Sequence, residues 1–210
     1  GTPPGEAQYS GWPGAQAGGT PGGSPAGGAG TPGSGLAPFT GAAGSSVVLE
    51  VPEGETLGHY VVGKMLGRGG FGAVYQARDT VAGDTVALKV LPVVHNASKQ
   101  SIIREYQSRK NIRDNEHILK ADRPEPVTFR SQQILVYPLE LADGGNLRAE
   151  MQRLRALEDR KEREQRVLEL FEQMCKGVAA CHEAGIVHLD IKPENFLLQE
   201  GKVKVTDFGI

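Results

Sequence analysis

The chain has 210 residues, a formal net charge of −2, 39% hydrophobic and 23% charged residues, values that fit a globular protein and give no basic excess to mark a general polyanion binder. No uninterrupted apolar run approaches the roughly 18–20 residues that span a bilayer, so neither nucleic acid nor a membrane is the expected partner. The start at Gly1 shows no basic, apolar, then small-residue signal pattern, which suggests an N-terminus that is processed or cut from something longer.

The average conceals a division. Residues 1–46 are built from Gly, Pro, Ala, Ser and Thr, with Tyr9, Trp12 and Phe39 as isolated aromatics. Their glycines keep no strict three-residue period, which disfavours a collagen helix. Apolar surface is too sparse to offset an ordering cost of about 1–2 kcal/mol per residue. The expectation is a disordered tail.

From Val47 the periodicity changes. Tyr60–Leu66 and Gly72–Arg78 are strand-like runs joined by a glycine-rich turn. Val81-Ala82-Gly83-Asp84 signals a hairpin, and Thr85–Leu91 reads as a third strand closed by Pro92. Ser98–Asn111 reads as a helix capped by Ser98, with Ile102, Tyr106 and Ile103 as candidates to face inward. Val127–Phe129 and Gln133–Leu141 complete a five-stranded antiparallel pattern. Pro138 cannot donate to a ladder, so it requires an edge position or a local break.

Asp143-Gly144-Gly145 is a turn signal, after which Leu147–Arg166 and Val167–Glu183 read as helical. The first is rich in Arg and Glu at helical spacing, a solvated face. The second is amphipathic, with Leu168, Phe171, Met174 or Cys175, and Val178 in one stripe. Cys175 and Cys181, the only cysteines, lie six apart on different helical faces. They read as reduced thiols, which fits a cytoplasmic or nuclear setting. Phe196–Leu198 and Val203–Val205 form a final hairpin that delivers Asp207.

Three motifs carry chemistry. Gly67-Arg68-Gly69-Gly70-Phe71-Gly72 lies between two strands, whereas the dinucleotide fingerprint runs from strand to helix. Glycines at Gly67, Gly69 and Gly72 let backbone N–H groups approach phosphate oxygens. Val86-Ala87-Leu88-Lys89 puts an ammonium on an apolar strand, where it needs anions. Phosphate and a carboxylate would supply them, and Glu105 is the only acid between Ser98 and Asn111. His188-Leu189-Asp190-Ile191-Lys192-Pro193-Glu194-Asn195, followed by Asp207-Phe208-Gly209, is the third. There Asp190 can accept a hydroxyl proton and Lys192 can neutralise developing phosphoryl charge. Asn195 and Asp207 offer the oxygen ligands magnesium prefers. His188 reads as a structural hydrogen-bonder; His59, His95, His117 and His182 show no ligand clustering.

In this order the motifs resemble those of eukaryotic protein kinases, over Thr56–Ile210. The resemblance implies an α+β fold. A five-stranded antiparallel N-lobe with one helix would span residues 56–140, and the first part of a mainly helical C-lobe residues 141–210. By the same resemblance Leu66, Val74, Ala87 and Leu197 would sandwich adenine, Leu139 would be the gatekeeper, and backbone groups of Glu140 and Ala142 would bond the ring. ATP and Mg2+ are the implied cofactors, and a protein Ser/Thr hydroxyl the implied acceptor. Lys192 and Pro193-Glu194-Asn195 are similar to the serine/threonine class.

Three departures stand out. Leu189 replaces the usual arginine of H-R-D, which removes a grip on a phosphorylated activation loop. Arg109, four residues after Glu105, occupies a place that is normally apolar and packed toward Phe208. The sequence stops at Ile210, before any peptide platform. Positioning supplies roughly 7–11 kcal/mol of a reaction barrier in favourable cases, so these 210 residues alone are expected to be inactive. The competing expectation is a pseudokinase-like, nucleotide-binding scaffold or interaction module.

Overall fold

The structure, a computed structural model, describes residues 49–69, 72–92, 96–112 and 114–208. The expected disordered tail lies outside them, as do Gly70, Phe71 and Gly209 of the motifs.

A twisted antiparallel sheet forms the first lobe. Its strands are β1 (Thr56–Leu57), β2 (Tyr60–Gly69), β3 (Gly72–Asp79), β4 (Thr85–Pro92), β5 (Glu125–Phe129) and β6 (Gln132–Glu140). They lie in the order β1-β2-β3-β4-β6-β5. The five expected strands are all present, and the two-residue β1 is added at one edge. The alternation of apolar residues along β3 and β4 fills both faces of the sheet. Leu57, Val62, Tyr75, Leu88, Ile134 and Val136 occupy one side, and Leu66, Val74, Ala87, Leu91, Leu135 and Tyr137 the other. Register shifts between Val62 and Gly67 interrupt the β2–β3 ladder and bend β2 toward its glycine-rich end.

Pro138 finds a position that tolerates it. Strand β5 ends where Glu125 faces Val136, so β6 continues past its neighbour. There the Pro138 carbonyl accepts from Asp122 N at 3.0 Å, and the missing N–H falls on this loop-covered side rather than on the β4 ladder.

Helix α1 runs Asn96–Asn111, beginning two residues before the expected Ser98 cap. Ser98 is therefore inside the helix and not its cap. The face turned inward bears Ile102, Glu105 and Arg109, with Tyr106 and Ile103 partly buried. A buried stripe with two charges in three residues is the unusual feature of this helix.

The second lobe corrects two expectations. The continuous helical reading from Leu147 divides into α2 (Leu147–Arg155) and α3 (Arg160–Glu183). Asp159 caps α3 by accepting from Lys161 N and Glu162 N, and with Glu162 it makes the D-x-x-E start signal that the charge-rich composition masks. The buried stripe of α3 also differs from expectation. Leu170, Gly177 and Cys181 are buried, with Met174 and Val178 beside them, whereas Leu168 and Phe171 are 68% and 59% exposed. Both sets have helical spacing; the choice was made by the hairpin β7 (Phe196–Gln199) and β8 (Lys202–Val205), against which α3 packs. Gly177 permits that approach, since a Cβ there would stand 2.5 Å from Val205 Cγ2 and 2.8 Å from the His117 carbonyl. Burial pushes the Cys181 thiol up to about 11, and Cys175 is exposed; both are free.

Candidate active site

The two lobes meet along the segment that follows β6. Gly144 N donates to Leu198 O at 2.9 Å and Leu198 N to Gly145 O at 2.8 Å, so this segment pairs with β7. A side chain at Gly144 would collide with that strand, because its Cβ would lie 2.7 Å from Leu198 O. Residues expected around adenine are brought together here. Leu66, Val74, Ala87, Leu139, Ala142 and Leu197 belong to one apolar cluster drawn from β2, β3, β4, β6, the connecting segment and β7. Glu140 is held from behind: its N–H donates to Lys120 O at 2.9 Å, and its carboxylate receives Lys204 Nζ at 3.0 Å and Lys120 N at 3.1 Å.

Gly67 and Gly69 close β2, and Gly72 opens β3 opposite Gly69. Gly72 has a steric requirement of its own. A Cβ there would fall 2.2 Å from Val90 O, and its φ of +159° is close to extended. Backbone approach to β4 therefore accounts for this glycine without any phosphate.

On the second lobe the chain from Gly185 to Asn195 forms a tight loop. His188 is buried, its Nε2 donating to Thr206 O at 2.9 Å and its Nδ1 accepting from Asp190 N at 3.4 Å. This fits the structural role expected for it. Asp190 is half-buried, with Lys192 Nζ at 2.7 Å and Asn195 Nδ2 at 2.9 Å from its Oδ2. Asn195 also donates to Asp190 O at 2.8 Å. Both amide hydrogens are spent on Asp190, which leaves the amide oxygen as the end that could face a cation. The Lys192 hydrogen bond, helped by Asn195, holds the Asp190 carboxyl below its ordinary value, and Asp190 in turn raises Lys192.

Asp207 arrives from β8 by way of Thr206, whose N–H donates to Asn195 O at 3.0 Å. Two non-glycine residues at the site hold left-handed backbone, Leu189 with φ 63° and Asp207 with φ 51°. Such conformations cost on the order of 1–3 kcal/mol each and collect where a side chain must be aimed.

Lys89 on β4 reaches Asp207 directly, Nζ to Oδ1 at 3.0 Å. Burial works against both charges. The mutual attraction overrides it, so that Asp207 lies below and Lys89 above its ordinary value. The expected Lys89–Glu105 pair is not formed. Glu105, only 6% exposed, accepts from Arg109 Nη2 at 3.0 Å. Arg109 also donates to Leu119 O at 2.7 Å and to Thr206 Oγ1 at 3.3 Å, and its guanidinium lies 4.5 Å from the Phe208 ring centroid. Phe208 continues to His188, 5.2 Å between centroids. Thus Arg109, Phe208 and His188 form a continuous stack beneath the cleft. Thr206 escaped sequence reasoning; its only signal was its place before Asp207.

Asn195 and Asp207 are suited by donor chemistry to magnesium, which takes one or two carboxylates and completes its shell with phosphate and water. No group of three or more His, Cys, Asp or Glu residues gathers among the described residues, as a dedicated all-protein metal cage would require. Among the same residues no helix is long and apolar enough to cross a membrane.

A small twisted sheet with one helix, joined to a helical lobe and meeting it at a cluster of opposed charges, is the architecture of a two-lobed kinase. The family model described as protein kinase domain matches residues 60–210, and the chain belongs to that family. It is 38% identical over 159 residues to CBL-interacting protein kinase 4 of Oryza sativa subsp. japonica, covering 73% of this chain and 33% of the relative. It is 34% identical to CBL-interacting serine/threonine-protein kinase 7 of Arabidopsis thaliana (73% and 35%) and 34% identical to Aurora kinase B of Mus musculus (73% and 43%). The chain spans about a third of the length of the first of these relatives.

Proposed function

We propose that the protein is a serine/threonine kinase that transfers the γ-phosphoryl group of ATP, with Mg2+, to a hydroxyl of a protein substrate. One observation carries this: Lys89 of the first lobe bonds Asp207, the neighbouring Thr206 N bonds Asn195 O, and Asn195 and Lys192 bond Asp190, so that five residues of both lobes are linked. Bound magnesium would neutralise phosphate charge and orient the triphosphate, with Asn195 and Asp207 as its protein ligands.

The chain's own residues divide the remaining work. Asp190, ionised over the physiological range, accepts the proton of the incoming hydroxyl as its oxygen bonds the γ-phosphorus. The bond to the β-phosphate oxygen breaks and ADP leaves with the electron pair. Asn195 fixes Asp190 by one hydrogen bond to its carboxylate and one to its backbone carbonyl, and Lys192 stands beside it to meet negative charge on the transferred group. Leu66, Val74, Ala87 and Leu197 offer the apolar slot for adenine, and the Glu140 and Ala142 backbone its polar edge. Gly67 and Gly69 would let the β2–β3 turn approach the phosphates, together with Gly72, which the close approach of Val90 O requires to be glycine in any case.

The test is Asp190→Asn in the intact protein. Transfer to a protein substrate should fall by roughly 10²–10⁴-fold, the usual worth of a positioned proton acceptor, while Mg·ATP binding stays within about twofold. Wild-type protein that binds Mg·ATP yet phosphorylates nothing would favour the nucleotide-binding scaffold instead.

A further inference from the structure

The rim of the site carries a charged pair that the phosphoryl transfer does not use. Arg148, in the first turn of α2, donates from Nε to Glu194 Oε1 at 2.8 Å. Glu194 belongs to the same loop as the reacting groups. It lies four residues after Asp190 and next to Asn195, whose amide bonds the Asp190 carboxylate. Four residues span at most roughly 14 Å, a distance that the residues flanking an acceptor hydroxyl in an extended peptide also cover.

Structural work does not account for the arginine. A cation in the first turn of a helix opposes the helix dipole, and an exposed ion pair contributes at most about 1 kcal/mol. The entry to α2 is already fastened to β7 by Gly144 N on Leu198 O, by Leu198 N on Gly145 O, and by the bridge between Asn146 and Leu197.

Recognition does account for it. Only Nε is engaged. The two terminal nitrogens of Arg148, which with their planar geometry suit a carboxylate or phosphate, have no hydrogen-bond partner among the described residues. Arg148 is also the more exposed member of its pair. Glu194 is already committed, since the Arg148 hydrogen bond, helped by the charge of Lys192, holds its carboxyl below the ordinary value. A basic side chain arriving here meets two cations, Arg148 and Lys192, each about half exposed.

We propose that Arg148 reads an anionic residue of the acceptor. The substrate is then a Ser or Thr with a carboxylate or phosphate side chain within four residues of it, and Glu194 holds the guanidinium in place to receive that group. The inference rests on the kinase reading above and narrows its substrate class.

The experiment gives the intact protein synthetic peptides with a single acceptor Ser, in which Asp, phosphoserine or Arg replaces Ala at each of four positions on either side. At one position or two adjacent ones, Asp should raise kcat/KM roughly three- to tenfold over Ala, the effect of one charge-assisted contact that stays partly in water. Phosphoserine there should raise it further, through its greater charge. A gain with Asp identifies an encoded acid as the ligand, and a gain with phosphoserine alone a segment phosphorylated beforehand; either supports the proposal. Arg148→Ala should bring the ratio to within about twofold of unity. Arg148→Lys should keep only part of the gain, and Glu194→Gln should lower it less than Arg148→Ala does. Thermal midpoints check that each variant is folded. Equal use of all peptides, a preference for Arg, or a gain that survives Arg148→Ala overturns this inference alone, because transfer is still measured. If wild type binds Mg·ATP yet phosphorylates no peptide and no protein, the kinase reading falls and this inference with it.

Discussion

The two halves of the site differ in how finished they are. In the loop from His188 to Asn195, Asp190 is bonded to Lys192 and to Asn195 and His188 ties the loop to Thr206, the arrangement that the proposed proton transfer needs. The cross-lobe half is arranged otherwise, with Lys89 on Asp207 and Glu105 on Arg109. The difference follows from distance along the chain. Asp190 bonds residues two and five positions away, contacts that settle by local geometry, whereas the one bond that joins the lobes in this cluster links Lys89 and Asp207, 118 apart.

This contrast can be broken by kinetics. Asn195→Ala removes two of the hydrogen bonds that hold Asp190 and should reduce phosphoryl transfer by at least about 10²-fold, whereas Glu105→Gln should cost only a few-fold. Equal losses in a steady-state assay would show that the halves are alike after all.

A smaller effect tests the scaffold beneath the loop. Gly177→Ala forces a Cβ against Val205 Cγ2 and the His117 carbonyl and should lower stability by about 1–3 kcal/mol, the range for overpacking. Thermal unfolding checks it. An unchanged midpoint would mean that α3 can withdraw from β8 at no cost, and that the hairpin does not depend on this helix for its seat.

Acid titration sharpens the cross-lobe half. Asp207 is held below the ordinary aspartate value of about 3.9 by Lys89, which outweighs its burial. Its stabilising contribution is therefore complete above that value and is lost as pH falls through the lowered folded-state value. Asp207→Asn should flatten this acid limb of the stability profile, and an identical limb in both proteins would contradict the pairing. The smallest effect is expected on the rim, where Arg148 and Glu194 pair at 2.8 Å with side chains 53% and 33% exposed. Arg148→Ala should change stability by less than about 1 kcal/mol, and a larger loss would assign this pair to the framework of the loop.

What could be read without coordinates was whatever local pattern enforces. Alternating apolar residues and turn glycines specify β2 to β6 and the β7–β8 hairpin, and short spacing places Asp190, Lys192 and Asn195 together. Even the awkward Pro138 announced that its strand must lose a neighbour. Patterns that admit two answers were left to packing. Leu168 and Phe171 share helical spacing with Leu170 and Met174, and only the seat against β8 selected the buried set. The break between α2 and α3 was hidden in a charge-rich stretch in which the capping Asp159 resembles any surface acid.

By itself, then, the sequence determined the order of motifs, the sheet and the chemistry available at the cleft, because these depend on residue type and near-neighbour spacing. The tertiary structure decided that Asp207, and not Glu105, is the carboxylate that holds Lys89. That decision compares whole arrangements of Lys89, Arg109, Glu105 and Asp207 within one low-dielectric space, and no periodicity along the chain records their relative energies.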